Sequence, residues 1–200
     1  MKRMIIIISI ATVLILTFFF MSYATNRKTE RQQYNLVKKE NGFEIRFYPR
    51  AIMATVLSEK TGEERDANPN FRRLAGYIFG GNKHNQKIAM TAPVYMEQDS
   101  EKNKMSFVLP SSYKIADLPD PNDSTINLHY SEEGYFAALR FGGFAKTGKI
   151  RAKEQELKEL LTKAGYSTTG SFKYLGYNAP WDIINHENDV IVMISYNDHQ

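Results

Sequence analysis

Residues 43–57 read FEIRFYPRAIMATVL, and apolar and polar side chains alternate on either side of the Pro49-Arg50 step. Alternation with a period of two, together with many β-branched and aromatic residues, is typical of strands that bury one face. Proline favours a turn where the alternation is interrupted. The stretch therefore predicts two antiparallel strands, 43–48 and 51–57, joined by a tight turn.

A helix and two further strands are predicted after this pair. Residues 69–79 have apolar side chains at the i, i+3, i+4 and i+7 spacing of an amphipathic helix, and Gly80-Gly81 ends the pattern. The apolar face consists of Phe71, Leu74, Ala75 and Ile78. Strands are predicted again at 87–96 and 104–109, so this half of the chain has the order β-β-α-β-β.

The second half of the chain has the same order of elements. Its predicted elements are strands 125–130 and 135–141, a helix over 147–164, and strands 172–177 and 189–196. Two similar tetrapeptides, TAPV at 91–94 and NAPW at 178–181, lie 87 positions apart. These correspondences predict an internal duplication, in which two halves form one curved antiparallel sheet or barrel with two outer helices. An α+β domain without internal symmetry is the alternative.

The first 24 residues are almost entirely apolar. Residues 4–23 contain no charged side chain and are preceded by Lys2 and Arg3. About 20 residues of helix rise roughly 30 Å, which is enough to cross the hydrocarbon core of a bilayer. We therefore expect residues 1–24 to be a single-pass membrane anchor that leaves the domain outside the cytoplasm. Ser22-Tyr23-Ala24 has the form of a signal-peptidase site, so a secreted or periplasmic protein cleaved near Ala24 is the alternative.

The rest of the chain reads as a polar tether, residues 25–33, followed by one domain, residues 34–200. The formal net charge is +4, of which Lys2 and Arg3 supply half, so no nucleic-acid partner is indicated. The absence of cysteine excludes disulfides, thiolate catalysis and thiolate ligands to a metal or heme iron. Because no phosphate-binding loop or catalytic carboxylate pair is recognisable, the sequence does not predict an enzyme.

Several motifs of the domain are similar to those of the SOUL heme-binding family and occur in the same order. They are FEIRFYP at 43–49, FRRL at 71–74, YIFGGN at 77–82, KIAMTAPV at 87–94, FVLPS at 107–111, RFGG at 140–143, GYNAPW at 176–181 and NDV at 188–190. The resemblance implies the family's α+β fold, a distorted antiparallel β-barrel built from two similar β-β-α-β-β halves with two outer helices. This implied fold agrees with the duplication that the strand and helix patterns predict.

The resemblance also implies that the domain binds heme or a related tetrapyrrole, without catalysis, in a shallow apolar cleft beside the first helix. A porphyrin needs an apolar surface, cations for its carboxylates and, in some proteins, an axial ligand. The candidate contacts are Phe71, Arg72, Arg73, Leu74, Ala75, Ile78, Lys83 and Lys87, with His84 as the candidate iron ligand. The alternatives are that the apolar side chains pack on the sheet and that the basic side chains form an ordinary solvated surface.

Together with residues 4–23, these features predict a module that buffers or transfers heme at a membrane surface. Two other functions stay open at this point. One is an enzyme or binding protein for another amphipathic small molecule, since fold does not fix function. The other is a protein-interaction module whose cleft holds a partner's helix. Glu44 and Arg46 share a strand face and could form an ordinary surface ion pair.

Overall fold

The computed structural model describes residues 29–59, 67–98, 102–178 and 186–197. Strands dominate this part of the chain, and two α-helices interrupt them. The strands are β1 (Glu30–Arg31), β2 (Asn35–Lys39), β3 (Glu44–Tyr48), β4 (Ile52–Glu59), β5 (Thr91–Ala92), β6 (Val94–Gln98), β7 (Lys102–Val108), β8 (Ile126–Tyr130), β9 (Gly134–Gly142), β10 (Lys173–Gly176) and β11 (Glu187–Met193). The helices are α1 (Ala67–Ile78) and α2 (Thr147–Ala164), and a 3₁₀-helix spans Ile115–Asp117.

Nine of these strands form one antiparallel sheet in the order β2-β3-β9-β11-β10-β6-β7-β4-β8. The order is symmetric about the contact between β10 and β6. Moving outward from that contact, β11 corresponds to β7, β9 to β4, and β3 to β8. This arrangement agrees with the predicted duplication, because the two strands of each pair have the same place in their β-β-α-β-β halves.

The sheet is curled into a half-barrel, which agrees with the curved sheet that the strand pattern allowed, whereas the family resemblance implied a distorted barrel. Among the described residues, β2 and β8 are the two edges of the sheet, and each pairs with one neighbour. Most side chains of both edge strands are exposed or half-buried, as expected where a sheet ends in solvent. The predicted α+β class, the antiparallel pairing and the two helices are confirmed.

The TAPV and NAPW tetrapeptides do not occupy equivalent places in the two halves. Thr91-Ala92 forms β5, immediately before β6, whereas Asn178 comes after β10. Residues 179–181 lie outside the described residues. The strand order therefore supports the duplication, but the similarity of these tetrapeptides does not mark it.

The first described residues are tied to the domain. Glu30 and Arg31 belong to the predicted tether, yet they form β1 and pair in parallel with β5. The Gln32 N–H donates to the Ala92 carbonyl at 2.8 Å. In the part of the chain that the structure covers, no helix is long and apolar enough to span a membrane. The predicted span, residues 4–23, lies outside that part.

Both helices pack on the same face of the sheet. Along the strand register, α1 covers a cluster that includes Ala54 and Phe107, and α2 covers a cluster that includes Leu139 and Val190. The opposite face, which carries neither helix, holds a third cluster around Leu175 and its neighbours. Side chains alternate between the two faces along each strand. A strand residue whose two neighbours belong to a helix-covered cluster therefore points to this helix-free face.

Candidate functional site

The apolar face of α1 packs against the sheet. Leu74 and Ile78 are 0% and 1% exposed in the cluster that α1 forms with β4 and β7. The Phe71 ring lies 5.2 Å from the Phe107 ring, edge to face, and Ala75 packs on the same cluster. Leu74 and Ile78 therefore retain no surface for a ligand. Phe71 and Ala75 are half-buried, and their contact with a porphyrin stays a prediction.

The four basic side chains that were predicted to face carboxylates are all exposed. Arg72 and Arg73 lie on α1, and the Arg73 Nε atom is 3.6 Å from an Asp123 carboxylate oxygen. Lys83 and Lys87 lie in the segment that follows α1. Ion pairs between exposed side chains are weak, so a ligand carboxylate can replace Asp123 beside Arg73 at little cost.

The segment after α1 is held in one conformation by a buried side chain. Asn82 is 1% exposed, and its amide nitrogen donates to the carbonyls of Tyr77 at 3.1 Å and Gln86 at 2.7 Å. Its side-chain oxygen accepts the backbone N–H groups of His84 at 3.2 Å and Gln86 at 3.0 Å. Gly81 lies so close to the helix that an added Cβ would be 2.7 Å from the Gly76 carbonyl oxygen.

His84 is exposed on this ordered segment, and the contact that fixes it is made by its backbone. Among the described residues, no group of three His, Asp or Glu side chains is placed to hold a metal ion. Heme iron needs no such group, because the porphyrin supplies four ligands and the protein adds an axial one. The role of His84 as that axial ligand stays a prediction.

Phe79 is a candidate contact that the sequence did not single out. Its side chain is 62% exposed, and its backbone forms an isolated β-bridge with Lys87. The sequence pattern placed Phe79 at the end of the helix, whereas α1 ends at Ile78 and the chain turns back through Gly80. An aromatic residue directly before a Gly-Gly pair was the available signal, because the helix was expected to end there. We call α1 and residues 79–88 the first-helix surface.

A buried charge cluster lies on the helix-free face. Asp189 is 0% exposed and accepts hydrogen bonds from Arg46 at 2.6 Å, from Arg140 at 2.9 and 3.1 Å, and from the Tyr177 hydroxyl at 2.8 Å. Arg46 is 1% exposed and also pairs with Glu44 at 2.8 Å, so the Glu44–Arg46 ion pair is present but its arginine is buried instead of lying on the surface.

The two arginines keep Asp189 ionised. Burial by itself raises the pKa of the Asp189 carboxyl. The hydrogen bonds from Arg140 and the positive charge of Arg46 outweigh that effect and leave the pKa below its ordinary value. Because the carboxylate, both guanidinium groups and the Tyr177 hydroxyl all have partners, the cluster reads as a stabilising element.

The helix-free face also contains a cleft of about 370 Å³, where the two halves of the sheet meet. Aromatic side chains and Met53 form much of its wall, and paired lysine and glutamate side chains also line it. The aromatic residues are Tyr48, Tyr95, Tyr130 and Phe136. We call this cavity the inter-half cleft. It lies on the opposite face of the sheet from α1, so it is separate from the first-helix surface.

Comparison with known proteins supports a family assignment. The family described as SOUL heme-binding protein matches residues 29–193. Heme-binding protein 2 of Homo sapiens is 29% identical over 156 residues, which cover 74% of this chain and 76% of the relative. Heme-binding protein 1 of Xenopus tropicalis is 28% identical over 146 residues, which cover 70% of this chain and 76% of the relative.

Solved structures of low sequence similarity share the fold. The C-terminal domain of EcmrR superposes with a TM-score of 0.60 at 10% identity and covers 82% of this chain and 99% of that domain. A hydrolase from Listeria innocua superposes with a TM-score of 0.54, also at 10% identity, over 88% of this chain and 98% of the hydrolase. At such identities these likenesses concern the fold alone. The match over residues 29–193, in contrast, spans most of the chain, and the protein belongs to the SOUL heme-binding protein family.

Proposed function

We propose that this protein binds heme or a closely related tetrapyrrole on the first-helix surface and that it acts as a binding protein without catalysis. The observation that carries the proposal is the exposed Phe79 side chain, held beside Lys87, in a member of the SOUL heme-binding family. Relatives from Homo sapiens and Xenopus tropicalis are named heme-binding proteins, and their names support the same ligand.

The chemistry of the first-helix surface suits a porphyrin bound flat. Phe79 and the half-buried Phe71 and Ala75 supply apolar contact area. The four exposed cations, Arg72, Arg73, Lys83 and Lys87, supply partners for the propionates. His84 lies on the same ordered segment and is the side chain that would approach the iron.

We place this binding at a membrane surface. Residues 4–23 would anchor the chain with its domain outside the cytoplasm, where the domain would buffer heme or pass it on. A form released after cleavage near Ala24 would act in the same compartment without the anchor. Protease treatment of intact cells should remove a tag placed after Gln200. Protection of that tag until the cells are lysed would contradict this topology.

The binding proposal is tested by titrating the purified full-length protein with hemin and following the Soret absorption band. The full-length protein is kept in detergent because of its apolar residues 4–23. Hemin also enters the detergent micelles, so the same detergent solution without protein provides the baseline. A saturable spectral change at micromolar hemin is expected. Its absence would refute the proposal.

Two exposed phenylalanines provide a matched comparison for the location of the site. Phe79 is 62% exposed on the first-helix surface, and Phe144 is 60% exposed next to His186. Phe79→Ala should weaken hemin binding roughly fivefold, because burying about half of a phenylalanine contributes about 1 kcal/mol. Phe144→Ala should leave the affinity unchanged. Equal effects of the two variants would place the ligand elsewhere.

The cations and the histidine have their own readouts. Replacing Lys83 and Lys87 together with alanine should weaken binding a few-fold, and more at low than at high salt. Replacing Lys158 and Lys163 of α2, which are also exposed, with alanine removes the same charge elsewhere and is the control.

If His84 ligates the iron, His84→Ala shifts the Soret maximum of the bound heme. An unchanged spectrum would rule out His84 as the ligand.

A further inference from the structure

The floor of the inter-half cleft contains a chain of hydrogen bonds that the proposed heme site does not use. The Ser106 and Thr55 hydroxyl oxygens are 2.7 Å apart, and the Thr55 oxygen is 2.8 Å from the His129 Nε2 atom. The His129 Nδ1 atom is 2.8 Å from the Tyr130 carbonyl oxygen. Ser106 is 3% and Thr55 5% exposed, and both Ser106 and His129 line the cleft.

The chemistry of the partners fixes the direction of this chain. A carbonyl oxygen only accepts, so the His129 Nδ1 atom carries a hydrogen and donates it to Tyr130. In a neutral imidazole the other nitrogen is then an acceptor, and the Thr55 hydroxyl donates its one hydrogen to it. Thr55 can therefore only accept from Ser106. Ser106 in turn donates its hydrogen to Thr55, and its oxygen keeps a lone pair for the cleft.

The cleft thus combines a buried hydrogen-bond acceptor with an aromatic wall. The Tyr48 and Phe136 rings are 5.5 Å apart, edge to face, and Met53 lies directly opposite His129 in the register of β4 and β8. The Tyr95 hydroxyl donates to Gln32 at 2.6 Å, which keeps that ring in place. A buried acceptor within a polarised chain of hydrogen bonds gains from a donor on a ligand.

The charges of the cleft balance. Glu132 is paired with Lys173 at 2.6 Å, and Glu97 is 3.6 Å from Lys104. Two carboxylates and two ammonium groups within the described lining leave no net charge that would select an ion. The volume of about 370 Å³ is near the lower end of the ~300–1,000 Å³ typical of small-molecule sites, so the ligand is small.

We propose that the inter-half cleft is a second binding site, separate from the first-helix surface, for a small uncharged planar aromatic molecule that donates one hydroxyl or N–H hydrogen to the Ser106 oxygen. The rings of Tyr48, Tyr95 and Phe136 pack against the aromatic part of the ligand. The chain from Ser106 through Thr55 to His129 recognises the donor.

Two probes that differ only in the donor test this proposal. 2-Naphthol carries a hydroxyl, whereas 2-methoxynaphthalene has the same rings and no donor. Calorimetric titration of the full-length protein at about pH 8, where imidazole rings are ordinarily neutral, should give tighter binding of 2-naphthol. The expected preference is about 3- to 10-fold, the range for one net hydrogen bond.

Variants of Ser106 and Thr55 distinguish binding of the probes in the cleft from partition of the probes into detergent micelles. Ser106→Ala in the same detergent should reduce the preference to about one, and Ser112→Ala, an exposed serine outside the cleft, should leave it unchanged. Thr55→Val frees the Ser106 hydrogen, which can then be donated to the ether oxygen of 2-methoxynaphthalene, so the preference should shrink although the Ser106 oxygen still accepts from 2-naphthol. Thermal unfolding of each variant shows whether it is folded. If Ser106→Ala does not fold, the comparison of probes on the unmodified protein still decides.

Three results would overturn the proposal. The first is equal affinity of the unmodified protein for the two probes. The second is an undiminished preference in a folded Ser106→Ala variant. The third is displacement of bound 2-naphthol by one equivalent of hemin, because the two sites lie on opposite faces of the sheet. Unchanged 2-naphthol binding in the presence of hemin supports two separate sites.

Discussion

Replacing Asp189 with asparagine should destabilise the fold strongly. The substitution keeps the shape of the side chain but removes the charge that faces Arg46 and Arg140. Asp189 is 0% exposed and accepts four hydrogen bonds. An asparagine has one acceptor oxygen and directs an NH₂ group at a donor, so at least one arginine hydrogen bond is lost.

The magnitude follows from the burial of the partners. Arg46 is 1% exposed, and after the substitution Glu44 is the one carboxylate still bonded to it among the described residues. Removing one member of a buried ion pair costs about 3–5 kcal/mol. A domain with a free energy of unfolding of about 5–15 kcal/mol would lose about a fifth or more of it. With an m value of about 2 kcal/mol/M, the urea midpoint should fall by about 2 M.

The assay is urea unfolding followed by far-UV circular dichroism. Glu132→Gln provides the control, because it neutralises a carboxylate that is 64% exposed and paired with Lys173. Exposed pairs contribute about 0–1 kcal/mol, so the control midpoint should move by less than about 0.5 M. Equal small shifts for Asp189→Asn and Glu132→Gln would refute the view that the buried cluster stabilises the fold.

Two further predictions concern acid and glycine. Because the folded-state pKa of Asp189 is lowered, its contribution to stability is complete above the unfolded-state pKa of about 4 and is lost as the pH falls through the folded value. The free energy of unfolding should therefore fall less steeply below about pH 4 in Asp189→Asn than in the unmodified protein, and parallel curves would contradict this. Gly81→Ala should destabilise the fold by about 1–3 kcal/mol, because its Cβ would lie 2.7 Å from the Gly76 carbonyl oxygen. Gly148→Ala in α2 is the control: its Cβ would have nothing within 4 Å, so it should be neutral or stabilise the fold by up to about 1 kcal/mol. Thermal unfolding measures both glycine variants, and a stabilised Gly81→Ala would show that the helix end can move aside.

Local sequence patterns were sufficient to predict the strands and helices whose apolar residues recur with a single regular spacing. The alternation in 43–57 predicted β3 and β4, and the apolar spacing of Leu74 and Ile78 predicted α1 and the face it buries. The repeated order of elements predicted two similar halves, and the strand order agrees with it. These features are local because hydrogen bonding within a helix and alternation along a strand involve near neighbours.

The exposure of a side chain depends on which other segments cover it, and for Arg46 and Phe79 the sequence did not predict those segments. Arg46 alternates with apolar neighbours as a solvent-facing residue would, yet it is buried beneath Tyr34, whose ring lies 4.4 Å from the guanidinium carbon. Tyr34 precedes β2 and packs against the buried cluster on the helix-free face. Phe79 shows the opposite case, because its ring became exposed when the chain turned out of α1.

The chain of amino acids by itself determined the class of the fold, its two-fold repetition and the likeness to heme-binding proteins. Only the tertiary structure decided which side chains come together on each face of the sheet. Ser106, Thr55 and His129 are far apart in the sequence and share a hydrogen-bonded chain because β7, β4 and β8 pair in one register. Such a register results from the packing of the whole sheet, since a shift of one residue would turn these side chains to the helix-covered face.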